Sequence, residues 1–190
     1  MPPVGQIGVQ KIRGQLRGMY SRGLGVPQDY KEAVRLYGLA ATQGHASAQT
    51  NLGFMYANGQ GVPQDDKEAV RLYRLAAAQG DAKAQNNLGT MYRDGQGVPQ
   101  DYKEAVRWYR LAAAQGNAKA HNNLGVMYRD GQGVPQDYAR AYMWFNLSAA
   151  SSSGEDGKLA INNRGLPGIE WVIGEIIGRE KLVDSGLSAL

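Results

Sequence analysis

The stretch Asn51–Asn86, NLGFMYANGQGVPQDDKEAVRLYRLAAAQGDAKAQN, runs without a gap into Asn87–Asn122, NLGTMYRDGQGVPQDYKEAVRWYRLAAAQGNAKAHN, and the two agree at 29 of 36 positions. The same spacing extends both ways, because Pro27, Pro63, Pro99 and Pro135 each sit in a Gly-Val-Pro-Gln-Asp run. A period of this length marks an array of supersecondary units, none of which buries its apolar face without a neighbour. The fold class is therefore set by what one unit forms.

In the third unit, Asn117 follows Gly116 and is placed to N-cap a helix running to about Arg129, its side-chain oxygen accepting an orphan backbone N–H. Asp81 and His45 hold the same place in earlier units, and His45 is the poorer cap. Along the second unit's helix, Ala84, Leu88, Met91 and Tyr92 fall at i, i+4, i+7 and i+8 and share one face. This is helix A. It stops at a Gly-x-Gly (Gly59 and Gly61, Gly95 and Gly97, Gly131 and Gly133), which supplies positive φ for a helix end and a tight turn. Val-Pro then holds the chain extended.

Asp65-x-x-Glu68 follows, repeated as Asp101-x-x-Glu104 and Asp29-x-x-Glu32, at the spacing of a capping box. It opens helix B, where Ala69, Leu72, Tyr73 and Ala76 share a face before Gly80 ends the run. Each unit is thus two antiparallel helices with small residues where they touch. Ten of the eleven tyrosines occupy three fixed places in the repeat: Tyr20, Tyr56, Tyr92 and Tyr128; Tyr30, Tyr102 and Tyr138; Tyr37, Tyr73 and Tyr109. An aromatic stripe can be a ligand box, but recurrence at the repeat period points to packing between helices.

Ala-x-x-x-Leu-Gly-x-x-Tyr, then Gly-x-Gly-Val-Pro-x-Asp, then Ala-x-x-x-Tyr-x-x-Ala-Ala-x-x-Gly, resembles the Sel-1-like repeat, a relative of the tetratricopeptide repeat. The resemblance covers roughly residues 16–150. It implies an all-α, right-handed α/α superhelical solenoid of tandem helix-turn-helix repeats, with helix A lining the concave side, and an adaptor or scaffold role. Some relatives staple each unit with a cysteine pair; this chain has no cysteine. The expected organisation is an irregular N-terminal cap over 1–15, units near 16–50, 51–86, 87–122 and 123–150, and a divergent tail over 151–190.

Measured from Leu88, the side chains of Lys83, Asn86, Thr90, Arg93 and Asp94 lie about 120–160° away around helix A. By resemblance to tetratricopeptide domains this side faces a concave groove, together with Phe54 and Asn58 in the preceding unit and Lys119, Asn122, Val126, Arg129 and Asp130 in the next. Three of the seven differences between the two quoted units, Phe54/Thr90, Ala57/Arg93 and Asn58/Asp94, fall here. That fits a constant scaffold with a tuned groove, and equally a solvated surface drifting neutrally. Its chemistry is amides and mixed charge, with Phe54 and Val126 as apolar seats, which suits a peptide or protein partner. Without aromatic platforms interleaved with positive charge it does not suit nucleic acid. The competing reading of the charges is a ladder of ion pairs between repeats, each worth only ~0–1 kcal/mol when exposed.

No catalytic constellation assembles. His45 and His121 occupy different repeat positions and read as isolated, exposed side chains, and no His/Cys/Asp set has metal-ligand spacing. The Gly-x-Gly runs lack the third glycine and the strand-to-helix setting of a dinucleotide loop. The expectation is a non-catalytic protein-interaction scaffold without cofactor or metal. The alternative is a regulatory domain that senses a small ligand or cell-wall fragment in the same groove. A formal net charge of +4 is a modest excess, and 43% hydrophobic with 20% charged residues is ordinary for a globular chain.

MPPVGQIGVQKIRG lacks the apolar core of a secretory signal, so the chain reads as cytoplasmic as written, with export open should a segment precede it. No stretch approaches the ~20 apolar residues of a membrane span. Near the start, Ile12, Leu16, Met19 and Tyr20 keep the helix A pattern, weakened by Gly14 and Gly18. Lys158–Arg164 is placed to begin one more helix A. After Gly165-Leu166-Pro167-Gly168, the stripe Ile169, Val172, Ile173, Ile176 and Ile177 predicts a helix near 169–184. A cap on the solenoid end is the first reading of that helix and a homodimer contact the second.

Overall fold

The computed structural model describes residues 28–151. The expected N-terminal cap, the extra helix A start at Lys158–Arg164, and the tail helix with its capping or dimer role lie outside these residues. The described residues form seven helices and no strand: α1 Tyr30–Ala41, α2 Ala46–Asn58, α3 Asp66–Ala78, α4 Ala82–Asp94, α5 Tyr102–Ala113, α6 Ala118–Asp130 and α7 Tyr138–Ser151. Helices B are α1, α3, α5 and α7, and helices A are α2, α4 and α6. The chain divides into two compact units, Met1–Gln100 and Asp101–Leu190. In the first, α1 packs on α2, α2 on α3 and α3 on α4; in the second, α5 packs on α6 and α6 on α7.

Each start signal acts through a backbone N–H. The Oδ1 atoms of Asp29, Asp65 and Asp101 accept from the amides of Glu32, Glu68 and Glu104, all at 3.0 Å. Asp81 and Asn117 accept from Ala84 and Ala120 at 2.8 and 3.0 Å, whereas His45 makes no side-chain cap. The capping box is only half formed. Glu32, Glu68 and Glu104 turn to Arg35, Arg71 and Arg107 at 2.7, 2.7 and 2.6 Å instead of reaching back. The reason is visible at Asp65, whose own N–H already donates to the Tyr56 carbonyl at 3.0 Å and leaves the glutamate nothing to accept. The same clasp recurs from Asp137 to Tyr128 at 2.9 Å.

Helix A ends in a left-handed glycine, as at Gly95 (φ +70°). The second glycine of the pair does more. Gly97 (φ +68°) lies against the carbonyl of Asp66 at the start of α3, and a Cβ there would overlap that backbone. The turn is thus pressed onto the first turn of the preceding helix B, which positions one hairpin against the next.

Small residues let the helices approach. Ala33, Ala69, Ala84, Ala105, Ala112, Ala120 and Ala141 are all fully buried. In the first unit, Ala33, Tyr37, Ala40, Ala48, Leu52, Met55 and Leu72 form one cluster across α1, α2 and α3. Gly53 on α2 is a socket for the Tyr73 ring of α3, and Gly125 on α6 for the Phe145 ring of α7. Tyr37, Tyr73 and Tyr109, one of the three recurring sets, are buried packing residues, as the repeat spacing indicates. The hydroxyls of Tyr92 and Tyr128 accept from Arg74 and Arg110 at 2.8 and 2.9 Å.

Burial pushes the Tyr73 phenol up to about 12, against the opposing hydrogen bond with Asn87. In an unfolded chain the group ionises near ~10, so between the two values the unfolded state has lost a proton that the folded state keeps. Stability therefore falls as pH rises through that window, by about 2–3 kcal/mol for this group. Tyr73→Phe is expected to start less stable at neutral pH and to flatten the decline between pH 10 and 12, read as urea midpoints against pH. An unchanged slope would show that the phenol does not carry the alkaline loss.

Candidate functional site

A polar side chain ties each helix A to the helix B before it. Gln49 Nε2 donates to the Ala41 carbonyl at 3.2 Å, and Gln85 Nε2 to that of Ala77 at 3.3 Å. Each carbonyl also accepts a backbone N–H, from Gly44 and Gly80 at 3.0 Å, so the side-chain amide takes its second lone pair and adds a link between the helices. In the second unit His121 takes the place, its Nε2 lying 3.1 Å from the Ala113 carbonyl. Facing a carbonyl, that nitrogen must carry the proton. His121 is buried, not exposed as its isolation in the sequence had implied. Its ring stacks on Trp144 with centroids 5.6 Å apart, and Nδ1 is enclosed without a partner. It is a structural substitute for glutamine.

The side of helix A opposite Leu88 is only partly a surface. Phe54 is 48% exposed, and Asn58 beside it is exposed, its Nδ2 donating to the Phe54 carbonyl at 2.7 Å. Lys83 and Lys119 are exposed. Arg93 forks onto the carboxylate of its neighbour Asp94 at 2.7 and 2.9 Å, and Arg129 onto Asp130 at 2.6 and 2.8 Å. The Arg129 guanidinium holds the Asp130 carboxyl below the usual range. Both pairs join sequence neighbours on one helix, so the ladder between repeats is not their geometry.

Four residues of the expected face need correction. Asn86 is buried, 6% exposed, like Thr50 at the same place in α2. Helix α2 is flanked by both α1 and α3, so its buried arc is wider than the single face that angular arithmetic assumes. Thr90 is half-buried, its hydroxyl donating to the Asn86 carbonyl at 3.3 Å. Val126 is also half-buried and already packs against the Tyr128, Ala141 and Phe145 cluster. Asn122 is half-buried. What remains open is Phe54, Asn58, Lys83 and Asp94 on the first unit, and Lys119 and Asp130 on the second, with the half-buried Arg93 and Arg129 forked onto those two carboxylates.

A different surface escaped the sequence reading. A groove of about 400 Å³ opens between α5 and the turn after α6, lined by Val106, Leu111 and Val134 and by Lys103, Arg107 and Arg110. Its signal was present, because Lys103, Arg107, Arg110 and Leu111 fall at i, i+4, i+7 and i+8. Among the described residues no group of three or more His, Cys, Asp or Glu could hold a metal ion. Nor is any described helix long and apolar enough to cross a membrane.

Helix hairpins of near-constant length, with the same glycine turns and tied at the same register, define an all-α solenoid of tandem repeats. A family model for the Sel1 repeat matches residues 18–45, 46–81, 82–117 and 118–153, and the chain belongs to the Sel1 repeat family. The last three spans each open where a helix A begins and close after the following helix B.

Among solved structures, the chain is similar to c5321, a protective antigen present in uropathogenic Escherichia coli strains and displaying the same repeat fold. The identity is 44% and the TM-score 0.70, over 77% of this chain and 31% of that one. A Sel1 repeat protein from Oxalobacter formigenes is 38% identical with a TM-score of 0.69, covering 74% of this chain and 58% of that one. Cysteine rich protein B of Helicobacter pylori shares the fold at 20% identity and a TM-score of 0.53, over 70% of this chain and 95% of that one. The matched region thus spans less than two thirds of the first two relatives. No curated protein sequence matches the chain. Proteins built from this repeat are generally interaction scaffolds and typically non-catalytic.

Proposed function

We propose that this chain is a non-catalytic scaffold whose A helices receive a protein or peptide segment on their open side. The observation that carries the reading lies within the first unit. Helices α2 and α4 repeat the same buried residues, Ala48 and Ala84, Leu52 and Leu88, Met55 and Met91. On the opposite side they diverge, Phe54 giving way to Thr90 and Asn58 to Asp94. A constant core with a varied exterior is what a scaffold under selection for a partner carries.

The chemistry fits a peptide. Phe54 offers an apolar anchor point, the Asn58 amide is at hand for a backbone group, and Lys83 supplies positive charge for an acidic side chain. The Arg–Asp forks are neutral as pairs and hold the guanidinium planes in place, which lowers the entropy lost when a ligand binds.

The test is a selection of displayed random peptides on the intact chain, followed by calorimetric titration of the selected peptides. Phe54→Ala is expected to weaken those that bind this side by about tenfold, the usual loss when an anchor aromatic is truncated. The melting temperature should stay in place, since the ring is largely open. Arg93→Ala with Arg129→Ala should likewise leave melting almost unmoved, because such pairs contribute only ~0–1 kcal/mol. Unchanged affinity of every selected peptide for both variants would remove the A-helix side from consideration. A large fall in melting would instead make the forks structural.

A further inference from the structure

Six large apolar side chains stand open to solvent among the described residues, and five are on helices B. Leu39, Leu75, Leu111 and Leu147 recur at the repeat period, between 41% and 52% exposed. Single exposed leucines are ordinary. Leu111 is not single: it stands at the rim of the groove whose floor is Val106 and whose far wall is Val134, with Lys103, Arg107 and Arg110 around it. The lining holds three cations and no carboxylate.

The cations are held in place. The Arg107 guanidinium is forked by Glu104 at 2.6 and 2.9 Å and lies 4.1 Å from the centre of the Trp108 ring. Arg110 donates to the Tyr128 hydroxyl at 2.9 Å. Glu104 is the one carboxylate on α5, and the Arg107 hydrogen bond holds it below its usual range. Three cations against one carboxylate leave α5 at +2, and the groove walls concentrate that charge beside an apolar floor. Gly133 fixes the far wall, because it abuts the Tyr102 carbonyl and seats the Val134 turn on the first turn of α5. By contrast α7 keeps Leu147 but has Ala139, Met143 and Asn146 in the places of the three cations.

We propose that the outward side of α5 is a second docking surface, which binds an acidic peptide segment of a partner protein. An aliphatic side chain of that segment sits against Val106, Leu111 and Val134, while Lys103, Arg107 and Arg110 meet its carboxylates. Charge complementarity selects the acidic class, and the apolar floor selects a segment with an aliphatic anchor over a plain polyanion. The surface belongs to helix B, so it stands or falls apart from the A-helix reading.

The test uses the full chain and a fluorescein-labelled peptide, Glu-Glu-Asp-Leu-Leu-Glu-Glu-Asp, in a polarisation titration. Binding is expected to weaken by about tenfold or more with Lys103→Glu and again with Leu111→Ser, and to fall as salt is raised. A peptide with serines for its leucines should bind more weakly, and Phe54→Ala should change nothing. Both substitutions fall on exposed side chains, and circular dichroism melting checks each fold, so either variant alone decides. Equal binding by wild type and the folded variants, or equal binding of the leucine-free peptide, would overturn the proposal. So would tighter retention of a short oligothymidylate, or of phosphatidylserine-containing vesicles, that the same variants abolish. Either result would give the surface to nucleic acid or to lipid.

Discussion

Gly97→Ala lowers the stability of the first unit by about 3 kcal/mol, the sum of ~1–2 for a non-glycine residue at positive φ and ~1–3 for a forced contact. The backbone at Gly97 has φ +68°, and the new Cβ meets the Asp66 carbonyl, which is helical backbone and cannot swing aside as a side chain would. Two neighbours isolate the second cost. Gly80 has φ +86° with nothing within 4 Å, and Gly95 has φ +70° with the Gln100 Cβ at 3.3 Å. Gly80→Ala should therefore show only backbone strain, Gly95→Ala slightly more, and Gly97→Ala clearly the most. Urea midpoints for the three variants settle the order. If Gly97→Ala matched Gly80→Ala, the turn would not be pressed onto α3 in solution.

Leu88→Ala is expected to cost ~2–5 kcal/mol, the range for a buried leucine cut back to its β-carbon. Leu88 is fully enclosed at the centre of α4. Its surroundings are helices already brought close by alanine and glycine, which have little side chain with which to collapse into a void. The cost should lie in the upper half of the range. Because a repeat is stable only through its neighbours, the loss should broaden or split the melting transition instead of shifting it rigidly. Calorimetry of the variant is the measurement, and a uniform shift of under ~1 kcal/mol would show that α4 does not need this packing.

The hairpins were legible in the residues because each rests on local chemistry that repeats. Asp65, Asp101 and Asn117 cap where their spacing places them, the Gly-x-Gly pairs adopt positive φ, and Ala69, Leu72, Tyr73 and Ala76 are buried together. What failed depended on a second element. Asn86 carries no hydropathy signal of burial, and neither does Thr50, its match on α2, whose enclosed arc is set by helices on two sides. Glu68 does not close its capping box because the Tyr56 carbonyl has already taken the Asp65 amide. Gly53 and Gly125 sit in the Leu-Gly of the repeat motif, and each is the space that an aromatic ring from the next helix fills. The basic groove on α5 was spelled in the register of that helix, but its far wall comes from Val134, beyond the reach of any one-helix pattern.

The stacking of Trp144 on His121 has an optical consequence. Both indoles among the described residues, Trp108 and Trp144, belong to the second unit, and the third, Trp171, also follows Gln100 in the sequence. Intrinsic tryptophan emission therefore samples that unit and is blind to the one containing Gly97 and Leu88. Emission and far-ultraviolet dichroism, followed together on one heating ramp, would act as two separately addressed channels. Damage to the first unit would darken the dichroism signal while the fluorescence stayed lit, turning an accident of tryptophan placement into a built-in differential thermometer.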